Sequence, residues 1–247
     1  MTVPARGSRT ETNLSEFAGI LAPQDGCDPP VVVGGHAVNL WSEYFLAKGM
    51  RELSGYVPFT SKDLDLVGST GLLERLHKSL KGTLTRSKPR SPVLGRLEVA
   101  RPGGGVLLIE VLHTVYGLNP QDLARTIELR IDGVAARVLL PHLILKAKIE
   151  NCVGIGQAGR NDVKHVRMMI LCVRAFMMEF LGFVSAGEMS ERGLVNVLEE
   201  TVEIVNGAQA VKAAQLWGFE FSAVWPLDEL RSFSGDKITR WLAHRFP

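Results

Sequence analysis

The chain has 247 residues, 46% of them hydrophobic and 22% charged, with a formal net charge of +2. This excludes a disordered polyelectrolyte and leaves length for one large domain or two small ones. Three cysteines, Cys27, Cys152 and Cys172, form no paired spacing, so neither a disulfide framework nor a structural zinc site is expected, and a reducing cytoplasm fits best.

The polar N-terminus, MTVPARGSRTETN, lacks the apolar core of a signal peptide. NLSEFAGIL (13–21) predicts a short helix and PQDGCDPP (23–30) a turn-rich connector. VVVGG (31–35) reads as a buried β-branched strand stopped by glycine. HAVNLWSEYFLAKGMREL (36–53) predicts a helix, broken by SGYVP. DLDLVG (63–68) alternates acid and apolar residues, the period of a strand with one wet face. STGLLERLHKSLKG (69–82) predicts a helix capped by Ser69 or Thr70 and stopped at Gly82.

Two β-rich runs within 93–115 flank Arg-Pro-Gly-Gly-Gly and predict a hairpin. A second hairpin over 127–141 turns at Asp132-Gly133. After Pro141 the pattern becomes helical, over 142–155, 162–181, about 187–217 and about 235–246. The apolar run VRMMILCVRAFMMEFLGF is interrupted by Arg167, Arg174 and Glu179, and reads as a buried helix rather than a membrane span. The fold class is α+β: an N-terminal extension (1–30), a mixed sheet with helices (31–140), then a mainly helical domain (141–247).

Alternation puts Asp63 and Asp65 on one face of their strand, with Leu64 and Leu66 turned to the core. Like charges that close repel unless a cation offsets them. Mg²⁺ is the usual answer, held by carboxylates, water and substrate phosphates, and two such ions serve both the attacking and the leaving oxygen. A third acid is available in Glu110, alone in the apolar LLIEVL, with Glu98 as the competing choice. Taken singly, an Asp-x-Asp reads as a solvated face, a strand Glu as the partner of an arginine, and Gly-Gly as a turn. The ordered set carries more.

Strand–Gly-Gly–helix, then Asp-x-Asp, then a strand with a third acid resembles the nucleotidyltransferase superfamily of polymerase-β-like fold. More narrowly, VVVGGHAVNLW and TSKDLDLVG look like the AbiEii/MenT-type nucleotidyltransferases of bacterial toxin–antitoxin systems. The resemblance implies that Gly34 and Gly35 contact nucleotide phosphates, as a glycine turn at a helix N-terminus allows. It implies Asp63, Asp65 and Glu110 as ligands of Mg²⁺. LKAKIEN offers Lys148 (or Lys146) for the triphosphate, and GRNDVKHV offers Arg160 and Asp162. His36, following the glycines, is a candidate phosphate donor or a structural residue. NTP is the implied substrate, tRNA or another RNA the implied acceptor, and an antitoxin the implied partner.

The segment 77–92 gathers Lys78, Lys81, Arg86, Lys88 and Arg90, which reads first as a solvated basic loop and second as a track for an RNA backbone. Rival readings are a small-molecule or protein nucleotidyltransferase, and a catalytically silent relative used for binding.

Overall fold

The computed structural model describes residues 11–21, 30–101, 104–131 and 133–246. Cys27, most of the 23–30 connector, Pro102-Gly103 of the first hairpin and Asp132 of the second lie outside the described residues. The chain divides into two compact units. One takes the described residues of Met1–Tyr44 with Tyr56–Leu140; the other takes Phe45–Gly55 with the described residues of Pro141–Pro247.

The first unit is an α+β assembly around a seven-stranded sheet. A 3-10 turn, Leu14–Phe17, runs into a short helix, α1 (Ala18–Leu21). Then come β1 (Val31–Val33), α2 (Gly34–Ala47), β2 (Leu64–Val67) and α3 (Thr70–Leu80); the end of α2 from Phe45, and the 3-10 stretch Arg51–Tyr56 up to Gly55, belong to the second unit. After α3 come β3 (Thr83–Arg86), β4 (Val93–Ala100), β5 (Val106–Leu112), α4 (Pro120–Ala124), β6 (Thr126–Ile131) and β7 (Val134–Leu139).

The spatial order is β3-β4-β5-β2-β1-β7-β6. β2 runs parallel to β5 and antiparallel to β1, while β1 is parallel to β7. Both expected hairpins form, β4 with β5 and β6 with β7.

Strand alternation sorts the sheet into two faces. Val32, Leu66, Val111 and Gly95 are neighbours along one row; the three apolar side chains are fully buried. At Gly95 a Cβ would stand 2.7 Å from Leu73 Cδ2 on α3, so any side chain there would make that leucine shift. Leu72, Leu73 and Leu76 make the buried stripe of that helix, whose cap is Ser69, accepting from Leu72 N–H. The helix ends on left-handed Lys81, one residue before the expected Gly82.

Two local expectations are corrected and one unpredicted element is added. The helix predicted over 36–53 starts at Gly34 and ends at Ala47, where Lys48 and Gly49 turn the chain into the 3-10 stretch. The basic segment 77–92 includes a strand, β3, whose Thr85 and Arg86 gain backbone partners on β4. A short helix, α4, forms before β6 on an Asn119–Asp122 capping box with Pro120 in its first turn.

The second unit is helical: α5 (Pro141–Gly154), α6 (Asp162–Ser185), α7 (Glu191–Asn206), α8 (Ala208–Trp217), α9 (Leu227–Ser232) and α10 (Asp236–Arg245). By length and composition α6 would suit a bilayer, yet Val166, Met169, Val173 and Met177 bury its stripe inside the unit. Cys152 and Cys172 are buried free thiols.

Candidate functional site

The other face of the sheet is polar. Val33, Asp65, Glu110, Arg96 and Thr85 are successive register partners on β1, β2, β5, β4 and β3, so one row crosses five strands with side chains on one side. Asp65 and Glu110 are thus adjacent. Glu98, the competing third acid, pairs with Leu108 and Thr83 instead, and is exposed. Asp63 lies immediately before β2, two residues from Asp65, and both aspartates are partly accessible.

Gly34 explains itself at this point. It opens α2 with φ +66°, and a built Cβ would overlap the Asp65 carboxyl, whose Cγ would stand only 2.7 Å away. Absence of a side chain is what lets Asp65 sit against the first turn of α2, where unpaired backbone N–H groups favour negative charge. Gly35 is buried in the same turn.

Glu110 is not a solitary acid. Arg96 donates from Nε at 2.8 Å and also from an Nη, both to Oε1. The Arg96 side chain is 38% exposed and that of Glu110 13%. Among the described residues no group of three or more His, Cys, Asp and Glu side chains forms a metal cage. The donor set on this face is nonetheless suited to Mg²⁺: Asp63 and Asp65 supply hard oxygens, and Mg²⁺ characteristically takes one or two carboxylates and fills its octahedron with water and substrate phosphate.

Of the two readings of His36, the structure favours the structural residue over the phosphate donor. Its ring is fully buried, edge-on to Phe17 with centroids 5.3 Å apart, and Nε2 lies 3.3 Å from Thr12 Oγ1. Thr12 gives its own proton to the Ser61 carbonyl, so Nε2 carries the hydrogen and donates. Burial lowers its pKa to about 4, so the imidazole is neutral at pH 7. It is the third residue of α2, and the helix turns it inward.

No protein-family profile matches the chain, and no curated protein matches it. Among solved structures it is similar to an antigenic nucleotidyltransferase-like protein from Paracoccidioides brasiliensis. The two share 18% identity, with a TM-score of 0.41 over 77% of this chain and 95% of that one.

The second unit gathers the remaining expected residues. Lys148 Nζ donates to Asp162 Oδ1 at 2.9 Å, and Arg160 Nε donates to Oδ2 at 2.6 Å. Lys148 and Asp162 are both buried, as are His165 and Cys152 beside them in sequence. Burial alone would raise the Asp162 carboxyl; the charge and hydrogen bond of Lys148, with those of Arg160, overcome it and hold the group down at about 2. Burial first and the Lys148 charge second push His165 well below its usual range. Burial and the Asp162 charge push the Cys152 thiol up to about 12, so it is no nucleophile. Lys146, two residues before Lys148, turns about 200° away around α5 and is only half-buried.

A cavity of about 930 Å³ also belongs to this unit, lined by Met50, Glu52, Arg174, Met178, Trp225 and Glu229 among others. Ion pairs Lys48–Glu179 and Arg174–Glu52 occupy it, and none of the candidate acids lines it.

Arg96 and Thr12 were missed from sequence. Arg96 was within reach: a hairpin turning on 101–105 pairs residues whose numbers are equidistant from its centre, which sets 96 opposite 110. Thr12 had no comparable signal, since its partner Ser61 is remote along the chain.

Proposed function

We propose that the polar face around Asp63, Asp65 and Glu110 performs Mg²⁺-dependent nucleotidyl transfer. The observation supporting this is the seat of Asp65 against a side-chain-free Gly34 at the start of α2. It sets a carboxylate beside the first turn of a helix, whose backbone N–H groups suit phosphate.

In this reading Asp63 and Asp65 hold the metal, which when bound supplies charge neutralisation for the phosphates. The first turn of α2 at Gly34 and Gly35 receives NTP phosphate oxygens. An acceptor hydroxyl attacks the α-phosphorus; a new oxygen–phosphorus bond forms and the bond to the bridging oxygen breaks. Pyrophosphate leaves with that electron pair, and the hydroxyl proton passes to Glu110. The resemblance drawn from the sequence makes RNA, in particular tRNA, the preferred acceptor. It also suggests a bacterial toxin–antitoxin context, a cognate antitoxin and a cytoplasmic setting.

The test incubates the protein with Mg²⁺, each labelled NTP in turn and total tRNA, beside Asp63→Ala/Asp65→Ala. Label entering RNA with the native chain alone is the expected outcome. Mg²⁺-dependent NTP binding without label on RNA would move the acceptor to a small molecule or protein. Equal behaviour of native chain and double variant would sink the proposal.

A further inference from the structure

Glu110 lies next to Asp65 in the row, so a free side chain would be well placed to join the two aspartates around a cation. Its carboxylate instead meets a cation from the opposite flank. β5 lies between β2 and β4, so the strands carrying Asp65 and Arg96 flank that of Glu110 on opposite sides, at an inter-strand spacing of roughly 4.8 Å. Both Arg96 donors converge on Oε1, leaving Oε2 out of the pair. Arg96 is planar, permanently charged and supplied with donors in a fixed fork, so it dictates carboxylate orientation as a lysine would not.

We propose that Arg96 is a positioning residue that withholds Glu110 from the metal-binding set and fixes its carboxylate for the acceptor. The inference rests on the nucleotidyl-transfer reading. It divides the three acids of the row's neighbourhood by role: Asp63 and Asp65 bind metal, while Glu110 does not. The physical drive is charge. Three carboxylates on neighbouring positions of one face repel, and Arg96 offsets the one carried by β5.

Metal affinity separates this arrangement from a three-acid site without depending on turnover. Mn²⁺ is titrated into the full chain, with the free ion followed by electron paramagnetic resonance, and thermal melts establish that each variant folds. Glu110→Gln should bind Mn²⁺ within about twofold of the native chain, because the group it removes is not a ligand. Arg96→Ala should bind about tenfold tighter, as the released carboxylate adds to the ligand charge. Arg96→Ala/Glu110→Gln should return to the native affinity, and Arg96→Lys should fall between native and Arg96→Ala.

Weakening of about tenfold in Glu110→Gln would overturn the proposal, and needs no Arg96 variant to fold. Equal affinities for Arg96→Ala and Arg96→Ala/Glu110→Gln would show that Arg96 does not act through Glu110, which also overturns it. A different result strikes the parent reading: native-like Mn²⁺ affinity in Asp63→Asn/Asp65→Asn, or no binding by the native chain, removes the aspartate site itself.

Discussion

Asp162 and Glu110 each meet an arginine, yet the two acids are placed for different work. Asp162 is nearly dry and gives one oxygen to Lys148 and the other to Arg160. Glu110 keeps a small accessible fraction, 13% of its side chain, and gives one oxygen to both donors of Arg96. A carboxylate with both oxygens spent inside a buried cluster cannot take a ligand without abandoning a partner. One with an oxygen to spare, on an open sheet face, can. Burial and the division of lone pairs, rather than the presence of an acid–base pair, separate a rigid cluster from a reactive one.

The contrast is broken most directly at Lys148. Lys148→Ala leaves the Asp162 charge buried with only the partly exposed Arg160 beside it, and should cost about 3–5 kcal/mol in urea denaturation. A loss under about 1 kcal/mol would mean that the cluster is wetter than its burial indicates. At the other site the loss falls on activity instead of stability. Asp65→Asn should lower nucleotidyl transfer by about a thousandfold, while folding stability, read from the same denaturation, changes by less than about 1 kcal/mol.

Acid titration sharpens the comparison through His36 and Asp162. His36 is neutral in the folded chain down to about pH 4, whereas the unfolded chain takes up that proton near pH 6.5. Between those values the unfolded state binds more protons, so stability declines as pH falls, by about 3 kcal/mol at pH 4. His36→Gln should flatten this slope in denaturation curves collected across pH 4–7. Asp162 acts lower. Its folded value of about 2 lies beneath the usual 3.8, so its contribution is intact above pH 3.8 and disappears as pH falls toward 2.

Gly34→Ala tests the seat of Asp65. The left-handed backbone costs about 1–2 kcal/mol with a Cβ present, and the Asp65 carboxyl must also move. Metal-dependent NTP binding should therefore fall more than thermal stability does. An alanine variant that binds Mg²⁺ and NTP like the native chain would show that Asp65 does not need its position against α2.

Much of this was legible in the sequence because local patterns carried it. Alternation in DLDLV gave the strand and its wet face, and the glycine turns gave both hairpins. Lys148 and Asp162 were named through the family resemblance, and the succession of α5 and α6 brings them into contact. What was not legible depended on partners brought from afar. His36 stood between phosphate donor and structural residue because its inward direction depends on Phe17 and Thr12, which no periodicity links to it. Strand β3 was hidden among lysines and arginines, since an edge strand with mostly exposed side chains has no apolar alternation to announce it.

The smallest effect is expected at Arg86 on that edge strand, where the guanidinium pairs with Glu74 of α3. Its side chain is 57% exposed and that of Glu74 46%, so water and salt screen an attraction that also restrains two long side chains. Arg86→Ala should change stability by less than about 1 kcal/mol, and added salt should erase the difference. The same chemical pairing would then range from a negligible contribution on β3 to a large one at Lys148, with solvent access setting the scale. A loss at Arg86 comparable with that at Lys148 would detach stability from burial, and the reasoning that gives Asp162 and Glu110 different roles would lose its physical basis.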